Sequence, residues 1–220
     1  NSKIYIDKII NKNGLEVGGP SFFFRNFIKI YKNIKSLDSL NFASKTIWNK
    51  NKGHILIGKE IICCSTDMSI IPNESYDFIL SSHQLEHVAN PIKALLEFKR
   101  ILKKSGTLIL VIPNSKYNFD HKRNKTTIKH LIDDYNSNID EGDLTHLQDS
   151  LNNTDFYSNS LDFEKFKELA EDNLKNRVIH HHIFDNKLVS DLCNFVQLNL
   201  IQSDEIKKKF PSLVFLIEKN

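Results

Sequence analysis

Apolar runs and stretches with helical spacing alternate along the first half of the chain. Residues 14–17 follow a polar segment and read as a short buried strand ending in a glycine turn. Residues 22–34 read as a helix rich in aromatic side chains. Residues 33–40 contain a second strand that ends near Asp38, and residues 55–64 form a third apolar stretch. The turn Pro72-Asn73-Glu74-Ser75 precedes a short strand over 76–81. From 91 to 102, Ile92, Leu95, Leu96, Phe98, Ile101 and Leu102 recur at helical spacing, and Lys103-Lys104-Ser105-Gly106 ends the helix. Residues 107–112 are a strongly apolar strand closed by Pro113.

This βαβα order with near-continuous apolar strands predicts an α/β domain whose parallel sheet is covered on both faces. The rhythm breaks after Pro113. Residues 114–177 are polar, rich in Asp and Asn, and carry helical fragments at 126–135 and 163–174; they read as an inserted lid. A helix over 186–196 and closing strands over 198–203 and 213–217 return to the core. The expectation is one domain over 1–220, with its core in 1–113 and 178–220 and a lid of about 114–177.

Composition narrows the function classes. A net charge of +3 with Lys and Arg spread along the chain gives no basic face for nucleic acid. No apolar run approaches the ~18 residues of a membrane span. Three cysteines are too few for a disulfide framework, and adjacent Cys63 and Cys64 read as small residues in a reducing, cytoplasmic setting.

In an open α/β sheet, ligands sit at the carboxyl ends of the strands, so chemistry is sought first at Leu15-Glu16-Val17-Gly18-Gly19-Pro20-Ser21. The two glycines allow a tight turn and close approach of a ligand, and the following segment offers free N–H groups. Glu16 can receive the ammonium group of an amino-acid ligand. Asp38, about 20 residues beyond the glycines, can take both hydroxyls of a ribose. Thr66, Asp67 and Met68 follow the third apolar stretch, where an acid can accept from an adenine amine and a backbone N–H can address the ring. Ser82 and His83 lie just past the fourth strand, and His87 stands one helical turn later.

The run Tyr76-Asp77-Phe78-Ile79-Leu80-Ser81-Ser82-His83-Gln84-Leu85-Glu86-His87-Val88 resembles the fourth-strand motif of class I S-adenosylmethionine (SAM)-dependent methyltransferases of type 11. Asp67, Leu102-Lys103-Lys104-Ser105-Gly106-Thr107 and Ile109 to Pro113 follow in the family's order, so the resemblance covers 14–113. It implies a Rossmann-like, doubly wound, mostly parallel seven-stranded sheet with a helical lid after strand five. It also implies SAM as cofactor, held by Glu16, Gly18, Gly19, Pro20, Ser21, Asp38, Thr66, Asp67, Met68 and Ser82. The segments around Phe119-Asp120-His121-Lys122-Arg123, Asp143-Leu144-Thr145-His146-Leu147 and Asn176 to Asp185 resemble a narrower group associated with surface-polysaccharide clusters. Pro20-Ser21 stands where the family has its later glycines; that departure also counts against a nicotinamide enzyme, which needs the third glycine for helix packing.

These readings converge on an O-methyltransferase for a small polar acceptor: a sugar, a nucleotide-sugar, or a phosphate or phosphoramidate group. His83, an imidazole near neutral pH, is the expected base or orienter, with His121 and Arg123 gripping the acceptor from the lid. Asp120, His146, His180, His181 and His182 are candidate substrate ligands. A divalent metal held by His83, His121 and His181 is a further reading of the histidines. A nicotinamide-dependent sugar-modifying enzyme and a non-catalytic SAM-binding partner are the alternatives.

Overall fold

The computed structural model describes residues 2–48, 58–157, 161–207 and 209–220. Seven strands form one mixed sheet in the order β3-β2-β1-β4-β5-β7-β6: β1 (Asn13–Val17), β2 (Ser36–Asn41), β3 (Glu60–Ile62), β4 (Tyr76–Ser82), β5 (Leu102–Pro113), β6 (Asn199–Ile206) and β7 (Ser212–Glu218). The first five are mutually parallel, whereas β7 runs antiparallel to both β5 and β6. A tight β6–β7 hairpin requires that reversal.

The central strands are apolar on both sides because both faces are covered. Ile79, Leu108 and Leu110 pack beneath α2 (Pro91–Ile101) and α7 (Asn186–Phe195), while Phe78, Leu80, Ile109 and Val111 meet Tyr5 and Ile9 of α1 (Ser2–Ile9) and the aromatic segment after β1. The helix α2 starts where Asn90 accepts from the Lys93 N–H and Pro91 occupies the first turn.

Four expectations change. The segment 22–34 is not one regular helix. It makes a π-helical turn, Phe24–Ile28, breaks at left-handed Lys29, and ends in a 3-10 turn, Ile30–Lys32. Phe23, Phe24, Ile28 and Ile30 are all buried, so packing of closely spaced apolar residues overrides helical periodicity. The second strand begins at Ser36 and ends at Asn41, three residues beyond Asp38. The fifth begins at Leu102, because α2 stops at Ile101. The third is Glu60–Ile62; residues 55–57 of the predicted stretch lie outside the described residues.

Between β5 and α7 the described residues form four α-helices, α3 (Ile128–Asn136), α4 (Leu147–Asn153), α5 (Phe163–Glu171) and α6 (Asn173–Asn176), and then an irregular run, residues 177–185. Residues at the carboxyl ends of β4 and β5 line a cavity together with this segment.

Gly14 tests the sheet packing. A Cβ there would lie 2.1 Å from Cε2 of the fully buried Phe78 ring. Gly14→Ala should lower stability by about 1–3 kcal/mol through overpacking, measured by urea unfolding; an unchanged midpoint would show that the ring moves freely.

Candidate active site

The β1 carboxyl end shapes the first cavity. Gly18 adopts a left-handed backbone (φ 76°), and its N–H donates to the Leu40 carbonyl. Glu16 is completely buried beneath the turn: Oε1 accepts from the Ser21 N–H at 2.9 Å and Oε2 from the Tyr31 hydroxyl at 2.7 Å. A Cβ on Gly19 would fall 2.2 Å from the Glu16 Cδ, so only glycine lets the loop close over that carboxylate.

A cavity of about 290 Å³ opens above this turn. Gly18, Pro20 and Ser21 line it from β1, Asn41 and Phe42 from the end of β2, Cys64 and Ser65 from the loop after β3, and His83, Gln84, His87 and Val88 from the end of β4. Arg177 closes one side, its guanidinium 4.9 Å above the Phe42 ring and paired with Glu141. Gln84 spans the floor: its Oε1 accepts from Ser81 and its Nε2 donates to Ser65.

Several anticipated cofactor residues stand elsewhere. Glu16 supports the loop from below and does not line the cavity. Asp38 lies within β2, where its carboxylate accepts from the Tyr76 hydroxyl and the Lys59 N–H. Because β2 runs on to Asn41, the side chain at the strand end is an amide, not a carboxylate. Met68 is buried and its N–H donates to Glu97. Exposed Asp67 accepts from the Ser69 N–H, and with Thr66 it borders a surface groove beside Lys93 and Arg100. Ser82 Oγ is spent on the His83 ring at 3.0 Å. Asn41, Phe42, Trp48, Cys64, Ser65 and Gln84 are among the cavity residues that the sequence did not single out for a ligand; Gln84 lies inside the fourth-strand motif.

A second cavity, of about 720 Å³, adjoins the first; His83, His87 and Trp48 line both. It lies under the helical segment and is walled by Glu86, Phe119, Asp120, Arg123, Lys165, His180 and Phe210, among others. His83 has a left-handed backbone (φ 50°), and its two ring nitrogens meet Ser82 Oγ and Ser212 Oγ at 3.0 and 3.1 Å. Burial, with His180 adding repulsion, pushes its pKa down to about 4, so the ring is neutral and weakly basic.

Opposite stands a buried charged group. Asp120 Oδ2 lies 2.6 Å from His180 Nδ1, and Arg123 donates to Asp120, to the His180 carbonyl and to Asp149. Burial opposes charge on His180, but the Asp120 carboxylate outweighs it and raises the imidazole above its usual range. Burial also disfavours ionised Asp120, yet His180 and Arg123 hold its pKa low. Beside them Glu86 is 2% exposed, and neither carboxylate oxygen has a hydrogen-bond partner. Burial pushes its pKa up to about 7, with His180 opposing.

The remaining histidines separate. His121 is exposed, near Asn118 and Asp155, and lines neither cavity. His181 is buried against Asn173, and burial drives its pKa down to about 3. His146 and His182 meet His130, away from both cavities. His83, His121 and His181 therefore do not form a metal site. Among the described residues, Glu86–His87–His180 and His130–Asp134–His146–His182 are the sets that bring ligand atoms of the cavity wall and of these histidines within 4.8 Å of one another; a third joins Asp143, His146 and His181.

Residues 15–110 match the family model "Methyltransferase domain". No curated protein matches the sequence. Solved structures share the fold at low identity. A SAM-dependent methyltransferase from Methanosarcina mazei is 14% identical with a TM-score of 0.54, over 98% of this chain and 96% of that one. A SAM-dependent methyltransferase from Mesorhizobium loti is 9% identical, with a TM-score of 0.59 over 99% and 95%. A structure from Rhodobacter sphaeroides described as a putative Zn-dependent alcohol dehydrogenase is 14% identical, with a TM-score of 0.62 over 100% and 88%. No helix among the described residues is long and apolar enough to cross a membrane. The glycine turn and the strand ends of β1, β2 and β4 that line the first cavity fall within the residues that match the methyltransferase-domain model, and the fold is one shared with SAM-dependent methyltransferases of known structure.

Proposed function

We propose that the protein transfers the SAM methyl group to an oxygen of a small polar acceptor, and that the lid read from the sequence, residues 114–177, covers it. The observation that carries this reading is the meeting of two cavities at His83, His87 and Trp48. A cofactor and an acceptor can occupy them side by side, as an in-line displacement needs. Gly18, Pro20, Ser21 and Gln84 would hold the methionine end, Asn41 the ribose, and Phe42, Cys64 and Ser65 the adenine. SAM supplies an electrophilic methyl carbon; every other task falls to the chain.

Glu86 takes the proton of an acceptor hydroxyl. An unpartnered carboxylate with a pKa of about 7 is matched to that role, whereas His83, held between two hydroxyls at about 4, is not. His83 instead fixes the passage between the cavities. His180 orients the acceptor through its cavity-facing edge, with Asp120 and Arg123 as positioning residues behind it. Arg123, His180, Lys165 and Lys209 around the larger cavity favour an anionic or polyhydroxylated acceptor. A sugar, nucleotide-sugar or phosphate-bearing group of a cytoplasmic surface-glycan pathway fits that wall and agrees with the motif resemblance over 119–185.

The decisive test incubates the protein with SAM and a panel of sugar, nucleotide-sugar and phosphate acceptors and reads product mass. One added methyl on an oxygen supports the reading; methylation of nitrogen or carbon alone rejects it. Calorimetry with S-adenosylhomocysteine tests the cofactor assignment. Asn41→Ala should weaken binding about tenfold, or ~1.4 kcal/mol, while Asp38→Asn leaves it nearly unchanged; the reverse ranking would return the ribose to Asp38. Glu86→Gln should lower kcat by about 10²–10⁴-fold with S-adenosylhomocysteine affinity retained. An unaltered kcat would remove Glu86 as the base.

The His83 shift makes a separate prediction for stability. Its folded pKa, about 4, lies below the ordinary 6.5, so the native state binds fewer protons between those values. Its contribution is complete above about pH 6.5 and is lost as pH falls toward 4. Urea unfolding at pH 7 and pH 5 should show a smaller loss for His83→Gln than for the parent; equal losses would place His83 protonation outside the folding equilibrium.

A further inference from the structure

The segment 114–177 has little to hold it down by burial. Among its described residues only Leu131 and Ala170 are buried apolar side chains, against eight buried polar or charged ones. Yet α3 packs on α2, where the Asn90 amide donates to the Asp134 carbonyl, and Leu147 of α4 packs against Val178 and Ile179 of the irregular run. At that junction four side chains from three separate elements converge. His130 and Asp134 stand one turn apart on α3, His146 immediately precedes α4, and His182 comes from the irregular run.

Their geometry is that of a coordination shell. His130 Nε2 lies 3.2 Å from His146 Nε2 and 3.3 Å from Asp134 Oδ2, and His182 Nε2 lies 3.7 Å from the same Asp134 oxygen. All four ligand atoms fall within 4.8 Å of one another. Four ligands on arms of ~2.0–2.1 Å at tetrahedral angles stand about 3.3–3.4 Å apart. Three of the six edges are therefore at or near the tetrahedral length. Asp134 Oδ2 is buried without a hydrogen-bond partner, and it is the atom shared by two of those edges. His182 Nε2 is also 3.0 Å from the Ala89 carbonyl, a contact it would give up on ligation; its Nδ1 has no partner.

We propose that His130, Asp134, His146 and His182 form a structural zinc site that pins the helical segment to the core. Three imidazoles and one carboxylate suit zinc and not the harder magnesium or calcium. Four protein ligands leave no open position, so the site is closed and separate from the methyl-transfer chemistry. Metal binding adds to the limited apolar packing of α3 and α4, because ligands gathered from three elements couple binding to local folding. The inference goes beyond the proposed activity and does not depend on the acceptor.

The experiment measures zinc by mass spectrometry in protein purified without a metal-affinity tag. The parent should carry about one equivalent per chain, and it should take up cobalt(II) with the intense visible bands of a tetrahedral site. His146→Ala and Asp134→Ala should lose the metal. Glu86→Gln should keep it, which separates this site from Glu86–His87–His180 on the cavity wall. A chelator should lower the thermal midpoint of the parent and leave His146→Ala unmoved. Zinc-free parent protein that does not bind added zinc, an octahedral cobalt spectrum, or loss of metal in Glu86→Gln with retention in His146→Ala would each overturn the proposal. The cobalt spectrum of the parent decides the case even where a substitution prevents folding.

Discussion

The Glu16 carboxylate beneath the glycine turn is the constraint from which the cofactor side of the molecule follows. A completely buried carboxylate is stable only with donors around it, and the Ser21 N–H and the Tyr31 hydroxyl supply two. Tyr31 comes from the irregular segment after β1, so the same contact fixes that segment against the turn. The close fit leaves no room for a Cβ at Gly19, while Gly18 takes the left-handed conformation that turns the backbone into the cavity. Ser39 Oγ donates to the Gly19 carbonyl, which ties the turn to β2 and sets Asn41 across from it. One acid below the loop thereby aligns the ends of β1 and β2.

The acceptor side is held by the opposite strategy, charge without apolar cover. Arg123 and Asp120 are each 2% exposed in their side chains, and both lean on His180. Removing one member of such a buried ion pair typically costs about 3–5 kcal/mol, since its partner is left charged in a poor solvent. Rigidity bought in this way keeps the His180 ring against His87, with centroids 4.5 Å apart. The wall of the larger cavity is therefore held by charge, in a segment with few buried apolar side chains.

The central strands β1, β4, β5 and β7 were legible in the sequence because they are buried along most of their length and read as apolar runs. The polar segment after β5 was legible only as a break in that rhythm. Two misplacements have clear physical causes. β2 is Ser36–Asn41, where buried and half-buried positions alternate, so Asp38 resembled a strand-ending acid. Its hydrogen bond to Tyr76, 38 residues away, is a tertiary fact that periodicity does not carry. Asp67 attracted attention as the nearest acid after the third strand, whereas the cavity is lined by the uncharged Cys64 and Ser65 before it. The histidines were visible as a group, but their division among cavity, core and helical junction depends on convergence. His180 and His182, two residues apart, end against different partners.

That division bears on the chemistry. Histidine is the expected base near neutral pH, yet burial acts on imidazole and carboxylate in opposite senses. The same dry wall that pulls His83 down to about 4 pushes Glu86 up to about 7. His180 escapes this rule only because Asp120 compensates its charge. A site that separates the affinities of neighbouring groups in this way assigns them distinct tasks. In the proposed function the ring of His83 keeps its two hydroxyl contacts, His180, favoured in its protonated form by Asp120, faces the acceptor, and the carboxylate of Glu86 takes the proton. Residue type pointed to the histidine; the proposal of Glu86 in its place rests on desolvation acting in opposite senses on the two groups.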